Sequence, residues 1–136
     1  MGSGIAEVAA LSGCDVKVVE ANEGALEAGM ARIEKSLDRA VRAQKMTDDQ
    51  RSEVMGKISF STKLPSLADR EFVVEAVVEQ EDAKLEVFGR LNDVVDDPEA
   101  VLASNTSSIP IMKLAMATNR PQQVIGVHFF NPVPVM

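Results

Sequence analysis

The sequence predicts an α/β protein built on a doubly wound, mostly parallel sheet. Short apolar runs of strand length alternate with segments of helical periodicity along the whole chain, which is the pattern of such folds. The run Phe72–Val78 is almost wholly apolar, as expected of a strand that helices cover on both faces. The length of 136 residues predicts a single domain spanning residues 1–136.

Composition and charge exclude several classes of protein. The formal net charge is −7, so nucleic acid is not expected as a partner, because phosphate backbones bind basic surfaces. No stretch approaches the roughly eighteen consecutive apolar residues of a membrane span, so a membrane is not expected as a partner either. Cys14 is the only cysteine and His128 the only histidine. We therefore expect no internal disulfide, no metal site and a reducing, cytoplasmic location.

The first elements predict half of a dinucleotide-binding βαβ unit, the building block of the Rossmann fold. Residues 5–11 predict a helix of small side chains that can lie close to a sheet, and Gly13 marks its end. Residues 15–20 predict a strand whose last residue is the acid Glu20. Helix, tight turn, strand and acid form the second half of the unit. We therefore expect a Rossmann-like sheet that lacks its first strand.

A long helix with two distinct faces is predicted from Glu23 to about Lys45, capped by Asn22. Its apolar residues recur at helical spacing and share one face: Leu26, Met30, Ile33, Leu37 and Val41. A second face, here named the basic face, carries four cations: Arg32, Lys35, Arg39 and Arg42. Two interpretations of the basic face remain open. It is either a solvated surface with Asp38 pairing to Arg42, or a local patch for a phosphate-bearing ligand.

Strands and helices continue to alternate up to the end of the chain. The pattern predicts a capped helix at 47–56, strands at 57–62 and 72–78, a helix through Leu91, a strand at 100–103, a helix at 110–117 and a strand at 124–130. Glu79 ends the strand at 72–78, and Lys84 lies five residues further on, in the next helix. On pattern alone, these two residues are typical of surface charges.

Two polar clusters follow the predicted strands at 100–103 and 124–130. The first contains Ser107 and Ser108, and the second contains His128. In an open α/β sheet, ligands bind outside the carboxyl ends of the strands, so hydroxyl groups and an imidazole are expected at such a site. Alternatives remain open, because either serine could cap the helix that begins near residue 110 and the histidine could be structural.

The order and spacing of the two clusters resemble the NAD-dependent 3-hydroxyacyl-CoA dehydrogenases. The matching stretches are NTSS at 105–108 and, about twenty residues later, HFFNPVP at 128–134. The likeness is strongest to the bacterial 3-hydroxybutyryl-CoA dehydrogenases. It implies oxidation of an L-3-hydroxyacyl-CoA to the 3-ketoacyl-CoA with hydride transfer to NAD, in fatty-acid or butanoate metabolism, and hence an acyl-CoA as substrate.

The resemblance assigns catalytic and substrate-binding roles to four residues. His128 would be the catalytic base, and the family spacing of twenty-one residues selects Ser107, not Ser108, as the hydroxyl that contacts the substrate oxygen. Ser36 falls at a coenzyme A contact position, whereas Ala43 stands where the family often has a lysine. Asn131 is a further candidate for substrate binding.

Five residues are expected to bind the cofactor if the resemblance holds. Gly2 would be the third glycine of the dinucleotide fingerprint, and Glu20 would accept hydrogen bonds from the adenosine ribose, which favours NAD over NADP. Glu79 and Lys84 would lie along the nicotinamide nucleotide, and Asn105 would help to position the cofactor.

The resemblance also implies that the chain is incomplete at both ends. A glutamate that orients the histidine would fall about four residues past Met136, and a helical C-terminal domain that forms a homodimer would follow. We expect residues 1–136 alone to be inactive. Three alternatives stay open: a dehydrogenase of a free 3-hydroxy acid, a non-catalytic nucleotide-binding module, and fusion of the parent enzyme to a hydratase.

Overall fold

The structure, a computed structural model, describes residues 1–136 and contains two compact units. The first unit comprises residues 1–63 and 130–136, and the second comprises residues 64–129. Every strand pairing in both units is parallel, so the predicted α/β class with parallel strands is confirmed. No helix is both long and apolar enough to cross a membrane.

The first unit contains three helices and a two-stranded sheet. In chain order the elements are α1 (Gly2–Leu11), β1 (Val16–Val19), α2 (Glu23–Arg42), α3 (Asp48–Gly56) and β2 (Ile58–Ser61). Strand β1 pairs in parallel with β2, with Val16 opposite Ile58. A parallel pair requires a long crossover connection, which α2 and α3 provide here.

Local sequence signals set several ends of these helices as predicted, although α1 begins at Gly2 instead of residue 5. Gly13 has φ +94°, a conformation that glycine adopts without steric cost, and it ends the turn after α1. The side chain of Asn22 accepts a hydrogen bond from the Ala25 N–H at 2.9 Å and caps α2. Thr47 and Gln50 form a reciprocal capping box at the start of α3. Helix α2 ends at Arg42, three residues earlier than about Lys45.

The core of the first unit forms where α1 and α2 pack. Its buried members are Ala6, Ala10, Ile33, Leu37, Val54 and Ile58. The alanines of α1 are small enough to let this helix approach its neighbours closely. The cations of the basic face are all exposed. Asp38 does not pair with Arg42, because its carboxylate lies 2.5 Å from Nε of Arg51 in α3.

The second unit contains a three-stranded sheet and two helices. Its elements are β3 (Phe72–Glu75), α4 (Glu81–Val94), β4 (Val101–Ser104), α5 (Ile111–Met116) and β5 (Val124–Gly126). The strand order is β3–β4–β5. Side chains of α4, β4 and α5 fill its core, among them Phe88, Leu91, Leu102 and Leu114.

Strands β3 and β5 are both shorter than the sequence predicts. Strand β3 ends at Glu75, because the Glu75 carboxylate takes the Val77 N–H at 2.7 Å in place of a neighbouring strand. Val78 is consequently 63% exposed. Strand β5 ends at Gly126 because the next segment bonds to a side chain. The prediction continued this strand to residue 130 because Val127, Phe129 and Phe130 are apolar.

Candidate functional site

A side-chain contact between the two predicted clusters joins a serine to the histidine. Ser107 Oγ lies 3.2 Å from His128 Nε2, and both residues are exposed. Ser107 follows β4 and His128 follows β5, and these neighbouring strands run in parallel. The two side chains therefore meet at the carboxyl edge of the sheet, where ligands of α/β proteins bind.

The segment 105–109, here named the hydroxyl loop, is held by the carboxylate of Glu79. Oε1 of Glu79 accepts hydrogen bonds from the Thr106 hydroxyl, the Ser108 hydroxyl at 3.1 Å and the Ser107 N–H at 3.3 Å. These donors favour the ionised carboxylate. With the Thr106 hydroxyl as the largest cause, they lower the pKa of Glu79 to about 2.

Asn105 holds the segment that carries the histidine. Its side-chain oxygen accepts from the Phe129 N–H at 2.8 Å, one residue past His128. The backbone carbonyl of Ser104 accepts from the Val127 N–H at 2.9 Å, on the other side of the histidine. The backbone on either side of His128 is thus held, by the end of β4 on one side and by the first residue of the hydroxyl loop on the other.

Neither Ser107 nor Ser108 caps the following helix. Helix α5 has Pro110 as its N-cap residue and no side-chain cap, so that alternative is wrong. Thr106, which the sequence interpretation did not assign a role, accepts instead from the Ile109 N–H at 3.0 Å and the Ser108 N–H at 3.3 Å. A threonine that bonds backbone groups two and three residues ahead is a known local turn, and this signal was available in the sequence.

Lys84 is not a surface charge. Its side chain is 1% exposed, and Nζ lies 2.6 Å from Oε1 of Glu75 and 3.5 Å from Oε2 of Glu79. Ser104 is also fully buried and donates its hydroxyl to Glu75 Oε2 at 2.6 Å. The sequence interpretation missed Glu75 and Ser104. A single acid within an otherwise apolar strand was the signal, since a buried carboxylate needs a partner.

Gly2 and Glu20 lie at the start of α1 and just after the end of β1, the first two elements of the first unit. Gly2 is the first residue of α1, and no side chain caps that helix, so its first N–H groups are available to an anion. Glu20 directly follows β1, and a short turn joins α1 to β1. The start of α1 and the end of β1 therefore lie at the same edge, which fits the phosphates and ribose of a dinucleotide.

The Glu20 carboxylate lies beside Gly29 of α2. A Cβ atom at Gly29 would be 3.6 Å from Glu20 Oε1, in ordinary van der Waals contact. The backbone N–H of Glu20 donates to the Ser61 carbonyl at 3.1 Å. These contacts fix the acid at the end of β1 while leaving its side chain half-buried.

Ser36 and Asn131 line one cavity of about 210 Å³ in the first unit. The other lining residues are Met1, Ser3, Gly4, Glu7, Arg32, Ile33, Pro132, Val133 and Pro134. Ser36 donates its hydroxyl to Oε1 of the buried Glu7 at 2.8 Å. Burial raises the pKa of Glu7, while the bond from Ser36 and the charge of Arg39 oppose the rise. No group of acids, histidines or cysteines in the structure could hold a metal ion.

Comparison with known families supports the sequence interpretation. The family model described as 3-hydroxyacyl-CoA dehydrogenase, NAD binding domain, matches residues 1–136. The chain belongs to this family. The predicted family and its NAD cofactor are thereby confirmed.

Individual relatives agree with this assignment. The chain is 58% identical over 136 residues to a 3-hydroxybutyryl-CoA dehydrogenase of Mycobacterium tuberculosis, and it covers 48% of that protein. The crystal structure of M. tuberculosis FadB2 matches the whole chain with a TM-score of 0.98 at 58% identity, over 48% of its own length. The (S)-3-hydroxybutyryl-CoA dehydrogenase PaaH1 of Ralstonia eutropha matches the whole chain with a TM-score of 0.96 at 39% identity, again over 48% of that chain. The chain thus spans about half the length of these relatives.

Proposed function

We propose that the full-length protein is an NAD-dependent L-3-hydroxyacyl-CoA dehydrogenase that interconverts 3-hydroxybutyryl-CoA and the corresponding 3-ketoacyl-CoA. The single observation that carries this proposal is the contact of 3.2 Å between Ser107 Oγ and His128 Nε2. A base and a hydroxyl donor that converge on one point can both reach the oxygen of a secondary alcohol. Family membership supplies the cofactor.

His128 acts as the general base in this proposal. The C3 hydroxyl must lose its proton as the hydride leaves, and this calls for a general base, most often a histidine. His128 is the only histidine in the chain. The residue is exposed, so a substrate can approach the imidazole and the Ser107 hydroxyl bonded to its Nε2. In the reverse direction the imidazolium returns the proton to the ketone oxygen.

Ser107 stabilises charge on the substrate oxygen. Its hydroxyl donates a hydrogen bond to the oxygen as negative charge develops there. The backbone N–H of Ser107 donates to Glu79 at 3.3 Å, so the position of this residue is set before a ligand binds. The Ser108 hydroxyl, in contrast to that of Ser107, already donates a hydrogen bond to Glu79. This difference supports the choice of Ser107 over Ser108.

The cofactor, when bound, accepts or supplies the hydride at its nicotinamide ring. In the first unit, Gly2 and the uncapped first turn of α1 would receive the phosphates, and Glu20 would accept from the ribose hydroxyls. In the second unit, Glu79 would contact the nicotinamide nucleotide. Lys84, predicted to do the same, has a side chain that is 1% exposed and would instead support the Glu79 carboxylate from inside the protein. The side chain of Asn105 is bonded to the backbone of the histidine segment, so we assign it a positioning role beside the cofactor.

A coenzyme A thioester is the substrate class that the first unit favours. Ser36 and Asn131 share a cavity whose rim includes Arg32 of the basic face. The four exposed cations of the basic face suit the phosphates of coenzyme A on a chain with a net charge of −7. A free 3-hydroxy acid would not need these cations.

Further parts of the fold complete the proposed enzyme. A strand upstream of Met1 would be the first strand of the sheet and would give β1, which pairs only with β2, a second neighbour. A glutamate and a helical domain downstream of Met136 would orient His128 and form the homodimer. These proposals agree with a chain that covers 48% of its relative. A cytoplasmic location remains a prediction based on the single cysteine.

The test compares two substrates with the purified full-length protein. We expect NADH-dependent reduction of acetoacetyl-CoA, with kcat/KM at least about a hundredfold above that for free acetoacetate, because binding energy from the remote coenzyme A group contributes to catalysis. Comparable use of both substrates would favour a free-acid dehydrogenase. NADH binding without turnover of either substrate would favour a non-catalytic nucleotide-binding module.

A further inference from the structure

A buried ion pair joins the end of β3 to the first turn of α4. Nζ of Lys84 lies 2.6 Å from Oε1 of Glu75, and the two side chains are 1% and 0% exposed, respectively. The Val77 N–H donates to the same carboxylate oxygen at 2.7 Å, and the Ser104 hydroxyl donates to the other at 2.6 Å. Both carboxylate oxygens of Glu75 therefore have partners inside the protein.

Folding stability alone does not account for this pair. Removing two charges from water costs several kcal/mol, and apolar residues of similar volume often give equal or greater stability. Lys84 is also the fourth residue of α4, where the positive end of the helix dipole opposes a cation. A lysine at this position needs nearby carboxylates. The buried pair is explained if the charge of Lys84 also acts on a group outside the pair.

Lys84 connects the buried pair to the hydroxyl loop. Its ammonium group lies 3.5 Å from Oε2 of Glu79. The other oxygen of Glu79 accepts all three hydrogen bonds from the loop: those of Thr106, Ser107 and Ser108. One side of the Glu79 carboxylate thus meets the lysine, and the opposite side holds the loop.

We propose that Glu75 is a positioning residue that acts through Lys84 on Glu79. By holding the ammonium group between two carboxylates, it sets where Glu79 stands and so how the hydroxyl loop is presented. The inference rests on the proposed function, in which Glu79 contacts the nicotinamide nucleotide and Lys84 supports its carboxylate. Glu75 itself has a wholly buried side chain, so it acts on the cofactor site without touching a ligand.

The first test replaces Glu75 by glutamine in the full-length protein. Glu75→Gln keeps the side-chain volume and can still hydrogen-bond to Ser104 and Val77, but it removes the charge that holds Lys84. We expect the Kd for NADH, measured by fluorescence titration, to rise about tenfold, the worth of a charge-assisted hydrogen bond. The KM for acetoacetyl-CoA should change less than about twofold, because the substitution affects binding of the cofactor and not binding of the acyl-CoA.

A matched control is available on the same helix. Glu81, in the first turn of α4, contacts the exposed Lys113 of α5 at 2.9 Å, so Glu81→Gln also removes a carboxylate that pairs with a lysine. This control should leave the Kd for NADH unchanged. An unchanged Kd in Glu75→Gln as well, or an equal rise in both variants, would overturn the inference.

A double-mutant cycle separates positioning from a merely structural role. If Glu75 acts through Glu79, then Glu75→Gln should raise the Kd for NADH by less than about twofold in a Glu79→Gln background, since coupled residues are not additive. A structural role independent of Glu79 would give the same tenfold rise in both backgrounds. That result would overturn the inference.

A second variant keeps the inference testable if Glu75→Gln does not fold. Ser104→Ala removes the bond of 2.6 Å to Glu75 Oε2 without changing any charge, and it should raise the Kd for NADH about two- to threefold. NADH binding is measured without turnover, so failure to reduce acetoacetyl-CoA would contradict the proposed function and leave this result standing. An unchanged Kd in Ser104→Ala would contradict the role of Glu75.

Discussion

Around the hydroxyl loop of the second unit, the polar groups are bonded to one another, whereas the cations of the basic face in the first unit point into solvent. Glu79 takes three hydrogen bonds from the loop, and Lys84 behind it is 1% exposed. Arg32, Lys35, Arg39 and Arg42 are all exposed. Groups of the first kind fix a geometry in advance, and groups of the second kind gain partners when a ligand binds.

The difference predicts two types of variant. Changes at the bonded groups should lower kcat or cofactor affinity. Salt should have little influence on the Glu75–Lys84 pair behind them, because this pair is buried and weakly screened. Changes at the exposed cations should raise the KM for the substrate, and salt should remove the effect. Each prediction below uses the full-length protein and tests one side of this comparison.

The largest effect is expected at the base. His128→Gln should lower kcat for acetoacetyl-CoA reduction by at least about a hundredfold, the usual contribution of a general base. The Kd for NADH should stay within about twofold of the unaltered value, because glutamine keeps the backbone bonds on both sides of residue 128. Steady-state kinetics and fluorescence titration check these two values. Turnover close to that of the unaltered protein would remove His128 from the mechanism.

Cofactor choice should depend on the acid after β1. We expect the unaltered protein to prefer NAD, because the Glu20 carboxylate would face a 2′-phosphate with like charge. Glu20→Ala should lower the ratio of kcat/KM with NADH to kcat/KM with NADPH by about tenfold. The control is Glu23→Ala, which removes an exposed acid three residues later and should leave the ratio unchanged. An unaltered protein that favours NADPH would contradict this role.

A smaller and salt-dependent effect is expected on the basic face. Arg32→Gln should raise the KM for acetoacetyl-CoA about threefold at low salt, since an exposed charge pair contributes at most about 1 kcal/mol. The rise should disappear in about 1 M salt, where the Debye length is roughly 3 Å. Arg90→Gln removes an exposed cation of α4 and serves as the control. A rise of equal size at both salt concentrations would show that Arg32 acts by packing.

The smallest effect is expected for proton binding by Glu79. Its pKa is lowered to about 2, so the folded protein binds a proton there less readily than the unfolded chain. Ionised Glu79 therefore stabilises the folded state fully at pH values above about 4.3, the ordinary pKa of glutamate. This contribution is lost as the pH falls towards about 2. Thr106→Val removes the largest cause and should raise the pKa of Glu79 in an NMR titration. An ordinary pKa in the unaltered protein would contradict the bonded network.

Much of the fold could be predicted because the signals are local. The cap at Asn22, the capping box at Thr47 and Gly13 after α1 each rest on a hydrogen bond or a conformation within a few residues. The ends of β3 and β5 could not be predicted. They depend on side-chain bonds from Glu75 and Asn105 to the backbone, and apolar composition does not report such bonds.

The candidate site shows the same limit. Ser107 and His128 could be paired from their spacing in the family, and the structure brings them within 3.2 Å. The support behind them was missed because it joins residues far apart in sequence. Glu75 meets Ser104 at a separation of twenty-nine residues, and only the register of β3 with β4 makes them neighbours.

The central claim is that Ser107 and His128 act as one unit on the substrate oxygen. A double-mutant cycle of Ser107→Ala and His128→Gln, read out as kcat for acetoacetyl-CoA reduction, tests it most directly. Residues that act together in one step are strongly non-additive. The double variant should therefore lose about as much activity as His128→Gln alone, at least about a hundredfold. A loss equal to the product of the two single losses would show that the residues act independently and would contradict the account.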